Sequence, residues 1–188
     1  GRMLGFQLWA NLPAANKIMK PLYRYIKKTQ IPEVKLNDGV CVKIICGKVV
    51  KTEGPVRDIM IEPEYLDVAV PAKATFKHPT KRGHTVLAYV HEGAAVFCAK
   101  QGPFEYERRG ENYFDLNRDA SLGNHSLILF GDGDEVAVTA GDSGVKFLLV
   151  SGKPLKEPIA WYGPIVMNTQ EEIRIAFDEY QNGTFIKK

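Results

Sequence analysis

The chain has 188 residues and a mass of 21.0 kDa, is 45% hydrophobic and 25% charged, and sets 25 Lys and Arg against 22 Asp and Glu for a formal net charge of +3. That composition supports one ordinary core and excludes wholesale disorder, and no apolar run approaches the roughly 18 residues of a membrane span. The basic surplus is too mild to argue for nucleic acid.

The opening Gly1-Arg2-Met3-Leu4 has no initiator Met and no signal-peptide pattern, and reads as an interior starting point, a cloning scar or a processed end. Residues 13–35 hold Pro13, Pro21 and Pro32 among Lys17, Lys20, Arg24, Lys27 and Lys28. Prolines at that density allow at most a short helix, so the segment is predicted to be a linker. From there the pattern turns to strands. Val40, Val42, Ile44 and Cys46 share one face at period two, as do Leu66, Val68 and Val70 in the stretch from Tyr65.

Thr85–Val90 and Ala95–Cys98 read as two strands joined by a hairpin turn at Glu92-Gly93. Ser126–Phe130, Glu135–Val138 and Val145–Val150 supply three more, with Gly131–Asp134 and Gly141–Gly144 as turns between them. Many short strands punctuated by Gly and Asp predict an all-β sandwich or small barrel. A C-terminal helix follows. Thr169 and Glu172 form a capping box, Ile173, Ala176, Phe177 and Tyr180 recur at helical spacing, and Gly183 closes it. The predicted stripe docks through Ile173, Phe177 and Tyr180.

Candidate chemistry is sparse. Gly141-Asp142-Ser143-Gly144 has the form of a serine-protease nucleophile loop, but no base and carboxylate accompany it, and a tight turn is the better reading. Asp132-Gly133-Asp134 begins like a calcium loop without the further carboxylates. His78, His84, His91 and His125 form no His-x-His pair, and His91 and His125 flank turns that face solvent. Cys41, Cys46 and Cys98 are an odd set without CxxC spacing, which points to a reducing, cytoplasmic setting. One basic loop is left. Lys77, Lys81, Arg82 and His84, with Lys73 and His78 beside them, make a candidate anion-binding site against the plainer reading of a solvated loop.

Two blocks carry a family resemblance. Gly5-Phe6-Gln7-Leu8-Trp9-Ala10-Asn11-Leu12-Pro13 with Lys17–Tyr23, and Gly152-Lys153-Pro154-Leu155-Lys156-Glu157-Pro158 with Gly163-Pro164-Ile165-Val166-Met167-Asn168-Thr169, together resemble the pirin family from about Gly5 to Gly183. The resemblance implies a cupin jelly-roll barrel with a short linker helix and a C-terminal helix. Residues 1–12 would be the last strand of a first cupin, 13–35 a linker, 36–155 the second barrel, and 156–188 a helical C-terminal segment.

It also implies where metal chemistry belongs. In the family, iron or another divalent metal sits in the first cupin on three histidines and a glutamate, all upstream of Gly1. In the second barrel the corresponding positions fall near Thr80–Arg82, Val86 and Lys146, which are not ligands. No cofactor, metal ligand or catalytic residue is therefore expected in this chain. Relatives divide into metal-dependent quercetin 2,3-dioxygenases and non-enzymatic regulators that bind protein partners. The expected role is a metal-free structural or protein-interaction module, the alternative being one half of such a dioxygenase. Phe6, Leu8 and Trp9, on a strand without its neighbours, are the candidate interface for a protein partner or for self-association. No membrane or nucleic-acid partner is expected.

Overall fold

The structure, a computed structural model, describes residues 5–98 and 120–187. The chain divides into two compact units, Ile26–Pro154 and a second made of Gly1–Tyr25 with Leu155–Lys188.

The larger unit is β throughout. Strand β1 (Glu33–Lys35) pairs with β2 (Cys41–Cys46), a small hairpin of β3 (Lys48–Val49) and β4 (Thr52–Glu53) follows, and then come β5 (Glu64–Val70) and β6 (Thr75–Pro79). The long β7 (Thr85–Phe97), the short β8 (Leu127–Leu129) and the longer β9 (Glu135–Gly152) complete it. The sheet runs β1-β2-β5-β9-β7-β8, all antiparallel, and β6 pairs with the first part of β9.

Two expectations are corrected here. Glu92-Gly93 is not a hairpin turn, and Gly141–Gly144 does not reverse the chain. Both lie inside single strands, where the register shifts between Val90 and Glu92 and again between Gly93 and Ala95. The inward residues of β7 change parity across this bulge, from Val86, Ala88 and Val90 to Ala95 and Phe97. In β9 they change from Val136, Val138 and Ala140 to Val145, Phe147 and Leu149. A bulge bends a strand and re-aims its faces, so one continuous sheet folds over onto itself as two arms around a shared core. Gly93 makes the bend possible: its φ is +78°, and a Cβ there would stand 2.2 Å from the Gly144 carbonyl oxygen.

The core lies between the two arms. Phe147 meets Phe76 and Phe97 edge-on, with centroids 5.9 and 5.5 Å apart, and Phe97 tilts against Phe130. Val42, Ile44, Leu66 and Val68 pack the rest at period two, each burial stabilising by about 1.5–3 kcal/mol.

In the smaller unit, residues 5–13 carry no strand, and the linker helix shrinks to a 3₁₀ turn at Ala14–Asn16. Residues 1–4 of the expected remnant strand lie outside the described residues. The expected linker is shared between the units: a second 3₁₀ turn (Lys28–Gln30) and β1 belong to the barrel unit, which begins at Ile26. Strands β10 (Ala160–Tyr162) and β11 (Ile165–Met167) form a hairpin that leads into helix α1 (Gln170–Gln181). The capping box is present, with the Glu172 amide donating to Thr169 Oγ1 at 3.2 Å and the Thr169 amide to Glu172 Oε2 at 2.9 Å. The buried stripe is Ile173 and Ala176 with Phe177 half-buried against Tyr162, whereas Tyr180 is exposed, which corrects the predicted docking residues.

Candidate functional site

Short strand ends surround a cleft of about 670 Å³ at one mouth of the barrel. Its floor comes from Cys46 at the end of β2, Glu64 at the start of β5 and Ser151 near the end of β9. His78 of β6 stands behind Glu64. The Glu64 carboxylate lies 3.3 Å from His78 Nε2 through either oxygen, and the Ser151 hydroxyl donates to Glu64 Oε2 at 3.2 Å. His78 is 3% exposed and Ser151 5%, the two buried polar residues among the described residues of the barrel unit. His78 also stacks on Phe76, which holds the ring plane.

Serine and histidine both address the carboxylate, not each other. The serine thus has no histidine base, and the trio is not a hydrolase triad. Burial pushes the Cys46 thiol above its ordinary value, and its Sγ lies 3.2 Å from the Pro63 carbonyl oxygen. A buried, protonated thiol is a poor nucleophile.

Periodicity and motif spacing pass over this trio. His78 stands on an inward position of β6, between the exposed Lys77 and Pro79. Only that alternation, once β6 is recognised as a strand, marks it as an interior histidine.

Of the basic loop, Lys81 and His84 line the cleft, while Lys77 and Arg82 are not among its lining residues. Each cation has an acidic partner: Lys81 pairs with Glu62, Lys77 with Glu135 at 3.6 Å, and Arg82 with Asp134 at 2.7 Å. The Lys81 ammonium holds the Glu62 carboxyl below its usual range, and the Arg82 guanidinium does the same to Asp134.

The positions where the resemblance expects metal ligands are scattered. Val86 is in the core, Thr80 Oγ1 donates to the Gly133 carbonyl at 3.4 Å, and Lys146 pairs with Glu92 at 2.8 Å. Among the described residues no three His, Cys, Asp or Glu side chains converge to hold a metal ion. The described residues of the barrel offer no donor set that fits the family's divalent metal.

In the smaller unit Phe6, Leu8 and Trp9 are exposed by 49%, 45% and 61%. Ile18, Met19 and Leu22 are exposed in the same segment. Beside them lies a polar network. Lys17 Nζ donates to Asn11 Oδ1 at 2.6 Å and to the Val166 carbonyl at 3.1 Å, and the Ala14 amide and Asn168 Nδ2 both donate to Glu157 Oε2 at 2.9 Å. Desolvation pulls the Lys17 ammonium below its ordinary value against the opposing pull of Glu157 and Glu172.

A family model described as the pirin C-terminal cupin domain matches residues 65–186. The Pirin-like protein of Caulobacter vibrioides is 35% identical over 186 residues, which cover 98% of this chain and 60% of that protein. Pirin of Homo sapiens is 32% identical over 179 residues, covering 95% of this chain and 56% of its own length. The crystal structure of a quercetin 2,3-dioxygenase from Acinetobacter baumannii superposes with a TM-score of 0.75 at 28% identity, over 94% of this chain and 55% of that one. The chain spans little more than half the length of these relatives.

Proposed function

This chain belongs to the pirin family, and from that premise we propose that it works as a protein-docking cupin half rather than as a catalyst. The observation that carries this reading is the filled barrel. Phe76, Phe97 and Phe147 meet where a flavonol and its metal would need an open, ligand-lined cavity. The interior of this cupin is a core.

The proposed partner is a second copy of the chain, meeting it through Phe6, Leu8 and Trp9. An isolated chain that shows this much apolar surface in one short segment gains by covering it, and a second copy is present at the chain's own concentration. Neither a lipid bilayer nor nucleic acid enters the proposal. No helix among the described residues is long and apolar enough to cross a membrane, and the net charge is only +3. Cys41, Cys46 and Cys98 are all free thiols, which suits a cytoplasmic setting.

A second reading rests on the superposition with the quercetin 2,3-dioxygenase. On it, the chain is one half of such an enzyme, with iron or another divalent metal held in a first cupin that this sequence does not include. Oxygen uptake with quercetin, after incubation of the chain with ferrous iron or nickel and dialysis, tests what both readings share, that this barrel is not itself the catalyst, and self-association through Phe6, Leu8 and Trp9 is what separates them. The docking reading expects background uptake and no stoichiometric metal. Turnover by the chain alone would place a catalytic site in this barrel and overturn it.

A further inference from the structure

We propose that the cleft at the barrel mouth is a binding site for a small organic cation, with Glu64 holding an ammonium or amidinium group and the cleft wall holding an apolar body. The volume of about 670 Å³ falls within the roughly 300–1,000 Å³ that small-molecule sites occupy. What decides the class of ligand is the charge on its floor.

Glu64 is part-buried and is addressed by two side chains. Ser151 donates from its hydroxyl, and His78 contributes charge only when protonated. All three contacts run at 3.2–3.3 Å, long for bonds to a carboxylate, and a carboxylate offers about four lone-pair sites. The Glu64 carboxylate therefore has capacity left to accept from a ligand. Among the described residues, the one ion pair of Glu64 is with His78. Cys46 brings no positive charge, and its thiol is held neutral by burial.

The rim does not compensate. Lys81 is occupied by Glu62, and Lys48 and Arg57 both turn to Glu53, at 3.6 and 3.7 Å. The lining as a whole sets three Lys and Arg against four Asp and Glu. Val56, Ile59, Pro63 and Pro79 supply apolar wall between these charges. A cation that exchanges water for the Glu64 carboxylate in this partly enclosed site gains a charge-assisted hydrogen bond, whereas an anion meets that carboxylate as a like charge. The site thus takes the opposite sign from the one the basic loop suggests in sequence.

The test is an amide and imidazole NMR titration of the whole chain with three probes of one shape: benzylammonium, benzyl alcohol and benzoate. Saturable shifts at Glu64, His78 and Ser151 are expected with benzylammonium alone. Glu64→Gln keeps the side-chain shape and removes the charge, and should weaken that binding about tenfold or more, the equivalent of one charge-assisted contact. Lys81→Ala, on the exposed rim, releases Glu62 and should tighten benzylammonium several-fold, so the idea remains testable if the floor variant fails to fold. Equal binding of the alcohol or the benzoate, unaltered affinity in both variants, or no saturable shift at the cleft would overturn the proposal.

Discussion

The backbone amide of Ala14 donates to the Glu157 carboxylate at 2.9 Å, joining residues 143 positions apart. The same oxygen takes a hydrogen bond from Asn168, and Lys17 reaches the Val166 carbonyl a few residues away. The two sequence blocks that resemble the pirin family therefore meet in one unit. Asn11, Lys17, Glu157 and Asn168 of these blocks are linked through these bonds, while Asn168 Oδ1 is buried without a partner among the described residues.

Glu157→Ala removes the acceptor shared by Ala14 and Asn168. The expected cost is about 1–2 kcal/mol, because two donors lose their partner while remaining near solvent. Hydrogen exchange should speed up at Ala14 and around Asn168, with the barrel amides unchanged. Unaltered exchange at those sites would show that the network does not hold the segment.

Gly93→Ala tests the bend of the barrel. The new Cβ would sit 2.2 Å from a backbone oxygen at a φ of +78°, and backbone cannot yield as a side chain tip can. A loss of about 3 kcal/mol or more is expected, read as a lower denaturation midpoint with the slope unchanged. Near-wild-type stability would mean that the strands do not fold over at this point.

The same bulge explains what the sequence shows and what it hides. The inward sets Val42/Ile44, Leu66/Val68/Val70 and Val86/Ala88/Val90 are legible because alternation holds within each arm. Alternation fails at Gly93 and at Gly141–Gly144, where glycine and aspartate signal a turn equally well, so two bent strands read as four short ones. The helix cap at Thr169 is legible because capping is local. The Glu64–His78–Ser151 floor is not, because three strands distant in sequence bring it together, and no spacing within any one of them records it. The strand expected at Phe6–Trp9 depends on neighbours that no local pattern can supply, and residues 5–13 carry no strand.

Phe147→Ala and Phe177→Ala should differ clearly. Phe147 is fully buried between Phe76 and Phe97, and its truncation should cost about 3–5 kcal/mol. Phe177 is half-buried against Tyr162, so its loss should be smaller. Equal losses in thermal or denaturant unfolding would contradict the assigned burial.

Cysteine reactivity should depend on pH in a defined direction. Burial favours the neutral thiol of Cys46 and raises its pKa, so its thiolate forms only above the ordinary thiol range. The linked stability is fully present below that range and declines as the pH rises through it. Alkylation mapped by mass spectrometry should label the half-exposed Cys41 at a pH that leaves Cys46 unmodified. Labelling of Cys46 at the same rate as Cys41 would contradict its burial.

The central claim is that this cupin half docks through its exposed N-terminal segment, and sedimentation velocity over a wide concentration range tests it most directly. The wild-type chain should sediment as a dimer or larger species that dissociates on dilution, and Leu8→Lys with Trp9→Lys should sediment as a monomer throughout. A wild-type chain that stays monomeric at every concentration would contradict the account.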